Sequence, residues 1–167
     1  HGLKVEDRTL SSTNKSQPPL VLLHGYANGS LYFYRNLVGL SETQFPTIHA
    51  LDMLGWGLSS RPKFDTTPDN TSVESAEAFF VESLEAWRKQ NQIEKMMLAG
   101  HSMGGYMSVA YAEKYPERVE RLILLSPVGV PESKLDDLVD YVESLPFKRR
   151  MMMKSIGYMF NMGITPR

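Results

Sequence analysis

The chain contains no cysteine, which excludes disulfides and thiolate metal sites within its 167 residues. Basic and acidic side chains nearly cancel, 18 against 19 for a net charge of −1, so there is no global basic field of the kind that draws nucleic acid to a protein. No uninterrupted apolar run approaches the roughly 18 residues that suggest a membrane span. No histidine and carboxylate cluster has metal-ligand spacing, nothing calls for a cofactor, and there is neither an internal repeat nor a low-complexity tract. The most consequential absence concerns histidine. All 4 histidines, His1, His24, His49 and His101, lie before residue 102.

What is there begins with Gly100-His101-Ser102-Met103-Gly104, a serine between two glycines directly after the apolar run Met96-Met97-Leu98-Ala99. This spacing predicts a strand-to-helix corner with the serine held in a strained conformation at its tip, because only small neighbours two positions either side let strand and helix approach closely. Tyr106 to Tyr115 carries Met107, Val109, Ala110 and Ala112 and ends before Pro116, which predicts a helix whose N-terminus points at Ser102. Such an end offers unpaired N–H groups and a partial positive charge, suited to a reaction that builds negative charge on a carbonyl oxygen.

Upstream, Leu20-Val21-Leu22-Leu23 predicts a buried strand running into His24-Gly25-Tyr26-Ala27. The N–H of Tyr26 is expected opposite that of Met103, the two forming an oxyanion hole. His24 and His101 are expected to support the turns they occupy, together with Gly25, Gly100 and Gly104, rather than to act as a base. His49, within Thr47 to Leu51, is expected to be packed. A third marker runs from Asp52 to Pro62. Its Gly55-x-Gly57 pair lacks the third glycine of a dinucleotide fingerprint and opens no helix, so the glycines read as turning the backbone beneath the rim of the site, with Trp56 as either wall or, the safer reading, core filler.

The spacing of His24-Gly25, Asp52-x-x-Gly55-x-Gly57 and Gly100-x-Ser102-x-Gly104 resembles the α/β-hydrolase superfamily. More narrowly, Asp52 to Phe64, Glu85-Ala86-Trp87-Arg88, Lys114 to Val119 and Pro127-x-Gly129-x-Pro131-Glu132 resemble the lipid-acting subfamily that holds N-acylphosphatidylethanolamine lipases, the lipid-droplet lipase coactivator and mitochondrial cardiolipin lipases. The likeness runs from about Pro18 to Glu132. It implies an α/β-hydrolase fold with Ser102 as nucleophile, an acyl lipid or phospholipid as substrate, and an acid and a histidine later in the chain. Acyl transfer to water makes a lipase or phospholipase; transfer to an alcohol makes a lysophospholipid acyltransferase. A non-catalytic coactivator or lipid-binding module is the third expectation, against which the presence of Ser102 counts. Dehalogenases and epoxide hydrolases of this superfamily carry aspartate where Ser102 stands. The expected setting is intracellular, cytoplasmic or peripheral on a membrane or lipid droplet, with the mitochondrion open; a glycan on Asn28 of Asn28-Gly29-Ser30 would crowd the oxyanion loop.

No histidine follows Ser102, and Ser126-Pro127 stand where an acid would end the apolar run Arg121 to Leu125. The chain therefore reads as a fragment, with acid and base outside it. Strands separated by helices predict a parallel sheet with both faces covered. Thr71-Ser72-Val73-Glu74 predicts a capping box opening a helix with the buried stripe Val73, Ala76, Phe80, Leu84 and Trp87. Residues 1–131 are expected to form the N-terminal part of the core, and 132–167 the start of a helical cap with Leu135, Leu138, Val139, Val142 and Leu145 at helical spacing. Beyond it Lys148, Arg149, Arg150 and Lys154 flank a run of methionines. Such a segment could meet a lipid surface, cations against phosphates and methionines against acyl chains; the alternative is a cap helix with ordinary solvated cations.

Overall fold

A computed structural model describes residues 1–6, 17–43, 45, 47–64, 72–129 and 142–161. Leu135 to Asp140, Thr71, Asn14, Asn70 and Pro131-Glu132 lie outside the described residues, as do the side chains of Ile156, Met159 and Phe160. The chain forms two compact units, His1–Gly129 and Val130–Arg167.

The first unit runs β1 (Gly2–Glu6), β2 (Leu20–Leu23), a 3-10 turn (Ser30–Phe33), α1 (Tyr34–Thr43), β3 (Thr47–Leu51), α2 (Val73–Gln90), β4 (Met96–His101), α3 (Met103–Lys114) and β5 (Val119–Leu125). The second holds α4 (Phe147–Asn161). The sheet has five strands in the order β1-β3-β2-β4-β5. β2 lies parallel to both neighbours, with Leu20 opposite Ile48 on β3 and Met97 on β4, and β5 runs parallel to β4. β1 departs from the expected parallel sheet: it pairs antiparallel with β3, Gly2 opposite Leu51. The physical reason is visible in its sequence. Leu3 and Val5 are half-buried while Lys4 and Glu6 are exposed, the alternation of an antiparallel strand with one wet face, whereas β2 is buried throughout.

Successive residues of β2 enter different cores, as the two-residue period of a strand requires. Val21 and Leu23 pack with Leu51, Val81, Leu84, Leu98, Met107 and Tyr111 on the face covered by α2 and α3. Leu20 and Leu22 pack with Phe33, Leu37, Ile48, Ala50 and Ala99 on the face covered by α1. Each such aliphatic side chain contributes about 1.5–3 kcal/mol on burial, and together they fix β2 and β4 as the rigid centre from which the candidate site projects.

α2 begins one residue later than the expected capping box. Ser72 is the N-cap, its Oγ accepting the N–H of Ser75 at 3.2 Å. The buried face is also displaced from the expected stripe: Val73 is exposed, Phe80 and Trp87 are half-buried, and Val81, Leu84, Glu85 and Arg88 are buried. Two charges lie inside because they neutralise each other there. Among the described residues no helix is long and apolar enough to cross a membrane.

Candidate active site

Ser102 occupies the corner between β4 and α3 with φ 53° and ψ −118°, a region that L residues adopt only when their surroundings enforce it. The enforcement is identifiable. A Cβ on Gly104 would overlap the carbonyls of Leu23 and His24 at the end of β2, and one on Gly100 would overlap the Gly104 carbonyl and Ser108 Oγ. The Ser102 N–H donates to the Leu125 carbonyl at 3.1 Å, and its own carbonyl accepts the N–H of Gly105 at 2.9 Å and of Val128 at 3.1 Å. The end of β5 thus holds the corner from both sides.

The His24-Gly25-Tyr26 turn packs directly on this corner. A Cβ on Gly25 would lie 3.1 Å from Ser102 Cβ and 3.0 Å from His101 Nδ1, so only glycine permits the approach without a neighbour giving way. Met103 is the first residue of α3, and a first-turn N–H has no acceptor within its own helix. The turn that carries Tyr26 thus packs on the serine through Gly25, while Met103 follows the serine at the start of α3.

The histidines divide cleanly. His24 is fully buried; its Nε2 accepts the Met53 N–H at 3.1 Å, which leaves Nδ1 to carry the proton and donate to the Gly25 carbonyl at 2.7 Å. Burial pushes its pKa down and holds it neutral, against the pull of the Gly25 carbonyl and Asp52. Both nitrogens pin loops, so His24 supports the turn. His101 stacks on the Tyr32 ring at 4.8 Å with Nε2 3.4 Å from the Tyr32 hydroxyl. His49 is buried, its ring edge-on to Trp87 at 5.1 Å. Trp56 packs against the core and edge-on to Tyr26 at 4.9 Å, so it props that tyrosine as well as filling space.

Two roles escape a reading of the sequence alone. The first is that of Asp52, marked there only as the head of a motif: its Oδ1 accepts the Ser30 N–H at 2.6 Å and its Oδ2 the Leu58 N–H at 3.1 Å. Burial would raise this carboxyl, but the backbone donors outweigh it and hold its pKa below the usual range. Gly57, at φ 50°, has no room for a Cβ beside the carboxylate. The aspartate after β3 thus ties the loop that follows to the loop bearing Tyr26.

The second is that of a buried ionic cluster. Glu85 accepts two bonds from Arg88 at 2.7 and 2.8 Å and one from the Tyr111 hydroxyl at 2.7 Å, while Arg88 also donates to the Ile93 carbonyl. The Arg88 guanidinium leads in holding the Glu85 carboxyl down to about 2. This cluster joins α2, the approach to β4, and α3, the two elements that meet at Ser102.

A cavity of about 320 Å³ opens between α2 and the sheet, lined by Leu23, Met53, Phe80, Leu84, Trp87 and Met107 among others. Ser102 does not line it. On α4, Lys148 and Arg149 are exposed, whereas Arg150 and Lys154 both pair with Glu143, at 3.3 and 2.5 Å.

The family model for the alpha/beta hydrolase fold matches residues 18–160. The chain belongs to the α/β-hydrolase fold family. Among its relatives, mouse 1-acylglycerol-3-phosphate O-acyltransferase ABHD5 is 42% identical over 146 residues, 87% of this chain and 39% of that protein. Mouse (lyso)-N-acylphosphatidylethanolamine lipase is 43% identical over 128 residues, 77% of this chain and 35% of that protein. Among solved structures, 2-hydroxy-6-oxo-6-phenylhexa-2,4-dienoate hydrolase from Rhodococcus superposes with a TM-score of 0.63 at 27% identity, covering 89% of this chain and 51% of that one. The chain spans about two fifths of the length of the mouse acyltransferase it matches. The lipid-related likeness thus covers the serine corner and its facing loop, while the hydrolase fold itself is common to relatives and solved structures alike.

Proposed function

We propose that this chain carries the nucleophile and oxyanion half of an acyl-lipid serine hydrolase. Ser102 Oγ attacks the ester carbonyl; a histidine from outside these residues takes the hydroxyl proton, and the carbonyl oxygen becomes an oxyanion held by the N–H groups of Tyr26 and Met103. Collapse breaks the ester C–O bond and returns the proton to the leaving alcohol. Water, its proton taken by the same histidine, then attacks the acyl-serine; the two donors hold the second oxyanion, and its collapse breaks the bond to Ser102 as the proton returns to Oγ, giving a fatty acid and free Ser102. The observation that carries this reading is the forced positive φ of Ser102, with the glycine turn after β2 packed against it. A donor of this kind typically contributes about 100- to 1,000-fold in rate, and general-base help about 100- to 10,000-fold.

The names of the relatives support lipid as the substrate class: one is called an acylglycerol-phosphate acyltransferase, another an N-acylphosphatidylethanolamine lipase. The former also favours a second reading, in which a lysophospholipid hydroxyl replaces water in the last step. Both share the acyl-serine. The test is labelling of the full-length protein with a fluorophosphonate probe, which Ser102→Ala should abolish. Equal labelling of the two would overturn the assignment.

A further inference from the structure

Tyr26 can serve as an oxyanion donor only if its N–H faces the site, and that N–H belongs to the same peptide unit as the Gly25 carbonyl. The unit is planar and trans, so its carbonyl and N–H point in opposite directions and fixing one fixes the other. The Gly25 carbonyl is held twice. The Asn28 N–H reaches it at 3.3 Å and closes a turn over Tyr26 and Ala27, while His24 Nδ1–H reaches it at 2.7 Å.

These two donors are not equivalent. Asn28 is part of the turn and moves with it. His24 supplies an outside reference: its ring is fully buried just after β2, and its Nε2 is anchored by the Met53 N–H at 3.1 Å, on the loop that follows β3. That anchor also selects the tautomer. In an imidazole that burial keeps neutral, an Nε2 that accepts carries no proton, so Nδ1 carries it and donates. The loop after β3 thus decides, through His24, which way the Gly25–Tyr26 peptide faces.

The turn needs such a hold because its backbone is strained. Ala27 lies at φ 57°, in the third position of a turn whose positive φ calls for glycine or asparagine, and its Cβ makes that conformation costly. On the other side of the peptide, Gly25 is crowded against His101 and Ser102. A peptide set between a strained residue and a crowded one gains by rotating. The short bond from His24 opposes that rotation.

We propose that His24 is a positioning residue for acyl transfer: by gripping the Gly25 carbonyl it keeps the N–H of the same peptide, that of Tyr26, turned toward the oxyanion. The proposal deepens the hydrolase reading above and rests on it for the oxyanion that Tyr26 meets. His24 takes no proton from Ser102 in this role, since both of its ring nitrogens are engaged by backbone groups.

Two substitutions in the full-length protein separate aiming from support, because an asparagine amide reaches where imidazole Nδ1 lies and a glutamine amide where Nε2 lies. His24→Gln keeps an acceptor for the Met53 N–H and loses the grip on Gly25; His24→Asn keeps the grip and loses the anchor. On a p-nitrophenyl ester, His24→Gln should lower kcat about 100-fold with KM little changed, the loss typical of one oxyanion donor. It should weaken inhibition by a trifluoromethyl ketone, whose serine adduct carries the same oxyanion, by a similar factor. His24→Asn should melt earlier yet retain at least about tenfold more kcat than His24→Gln. In the unaltered protein, nitrogen NMR of the His24 ring should show the proton on Nδ1 alone, a result that needs no variant to fold. Ser102→Ala is the reference for turnover by the serine. Undiminished kcat in His24→Gln, equal losses in the two variants, losses that track melting, or a proton on Nε2 would each overturn the proposal and leave the nucleophile standing. Turnover that survives Ser102→Ala would overturn the hydrolase reading, and this proposal with it.

Discussion

Two carboxylates in this chain each gather a pair of cations, and their surroundings are opposite. Glu85 on α2 lies buried with Arg88, with Tyr111 completing its bonds and Lys89 3.4 Å away at the surface. Glu143 meets Arg150 and Lys154 at the surface, with about half of its own side chain exposed. The bond lengths hardly differ. What differs is the cost of losing a partner: in water a vacated charge is rehydrated, while inside the protein it is left with neither water nor counter-ion. The first cluster therefore belongs to the architecture that sets the Ser102 corner, and the second decorates a helix.

The sharpest break in that contrast is Arg88→Met. It leaves Glu85 buried beside Tyr111 without its guanidinium and frees the Ile93 carbonyl that Arg88 holds. Denaturant unfolding should show a loss of about 3–5 kcal/mol. A variant as stable as the parent would mean that the pair is not sealed from water. Tyr111→Phe removes one of the three bonds that Glu85 accepts from Arg88 and Tyr111 and should lose about 1.5–3 kcal/mol, the range for a hydrogen bond to a charged group.

Acid titration sharpens the comparison next. The Glu85 carboxyl is held down to about 2 from an ordinary 4.5, first by its bonds to Arg88. A depressed carboxylate stabilises the fold fully above its unfolded pKa, and that contribution fades as pH falls from about 4.5 toward 2. Its size is about 3 kcal/mol. In Glu85→Gln this part of the acid dependence should be missing, so the stability gap between parent and variant should close as pH drops through that window. A gap independent of pH would show that Glu85 acts there by packing and not by charge.

Legibility from sequence follows the range of the forces involved. The corner is readable because its constraint is local: Gly100, Ser102 and Gly104 encode within five residues the close approach that forces the serine's backbone. The four parallel strands are readable from apolar runs set between helical patterns, while β1, antiparallel and half-wet, is not announced by that alternation. Glu85-Ala86-Trp87-Arg88 stands out as a likeness to lipid-acting relatives but gives no hint of its physics, because the helix period assigns charged residues to the wet face. Its decisive partners, Tyr111 and the Ile93 carbonyl, lie elsewhere in the chain. Asp52 is hidden for the same reason. Its strongest bond reaches back 22 residues to Ser30, and no local pattern records it.

The smallest expected effect belongs to Glu143→Gln, and its smallness is what completes the comparison. Lys154 leads in drawing the Glu143 carboxyl below its usual range, yet the carboxyl and both cations lie at the surface, in reach of water and screened by salt. Removing the charge leaves no buried atom without a partner, since water takes over both the vacated cations and the amide. Thermal unfolding should be indistinguishable from the parent at physiological salt, while Arg88→Met, measured alongside, melts far earlier. A loss approaching that of Arg88→Met would mean that Glu143 becomes enclosed in the full-length protein. The second cluster would then be a structural ion pair like the first, and Arg150 and Lys154 would be withdrawn from any role at a lipid surface.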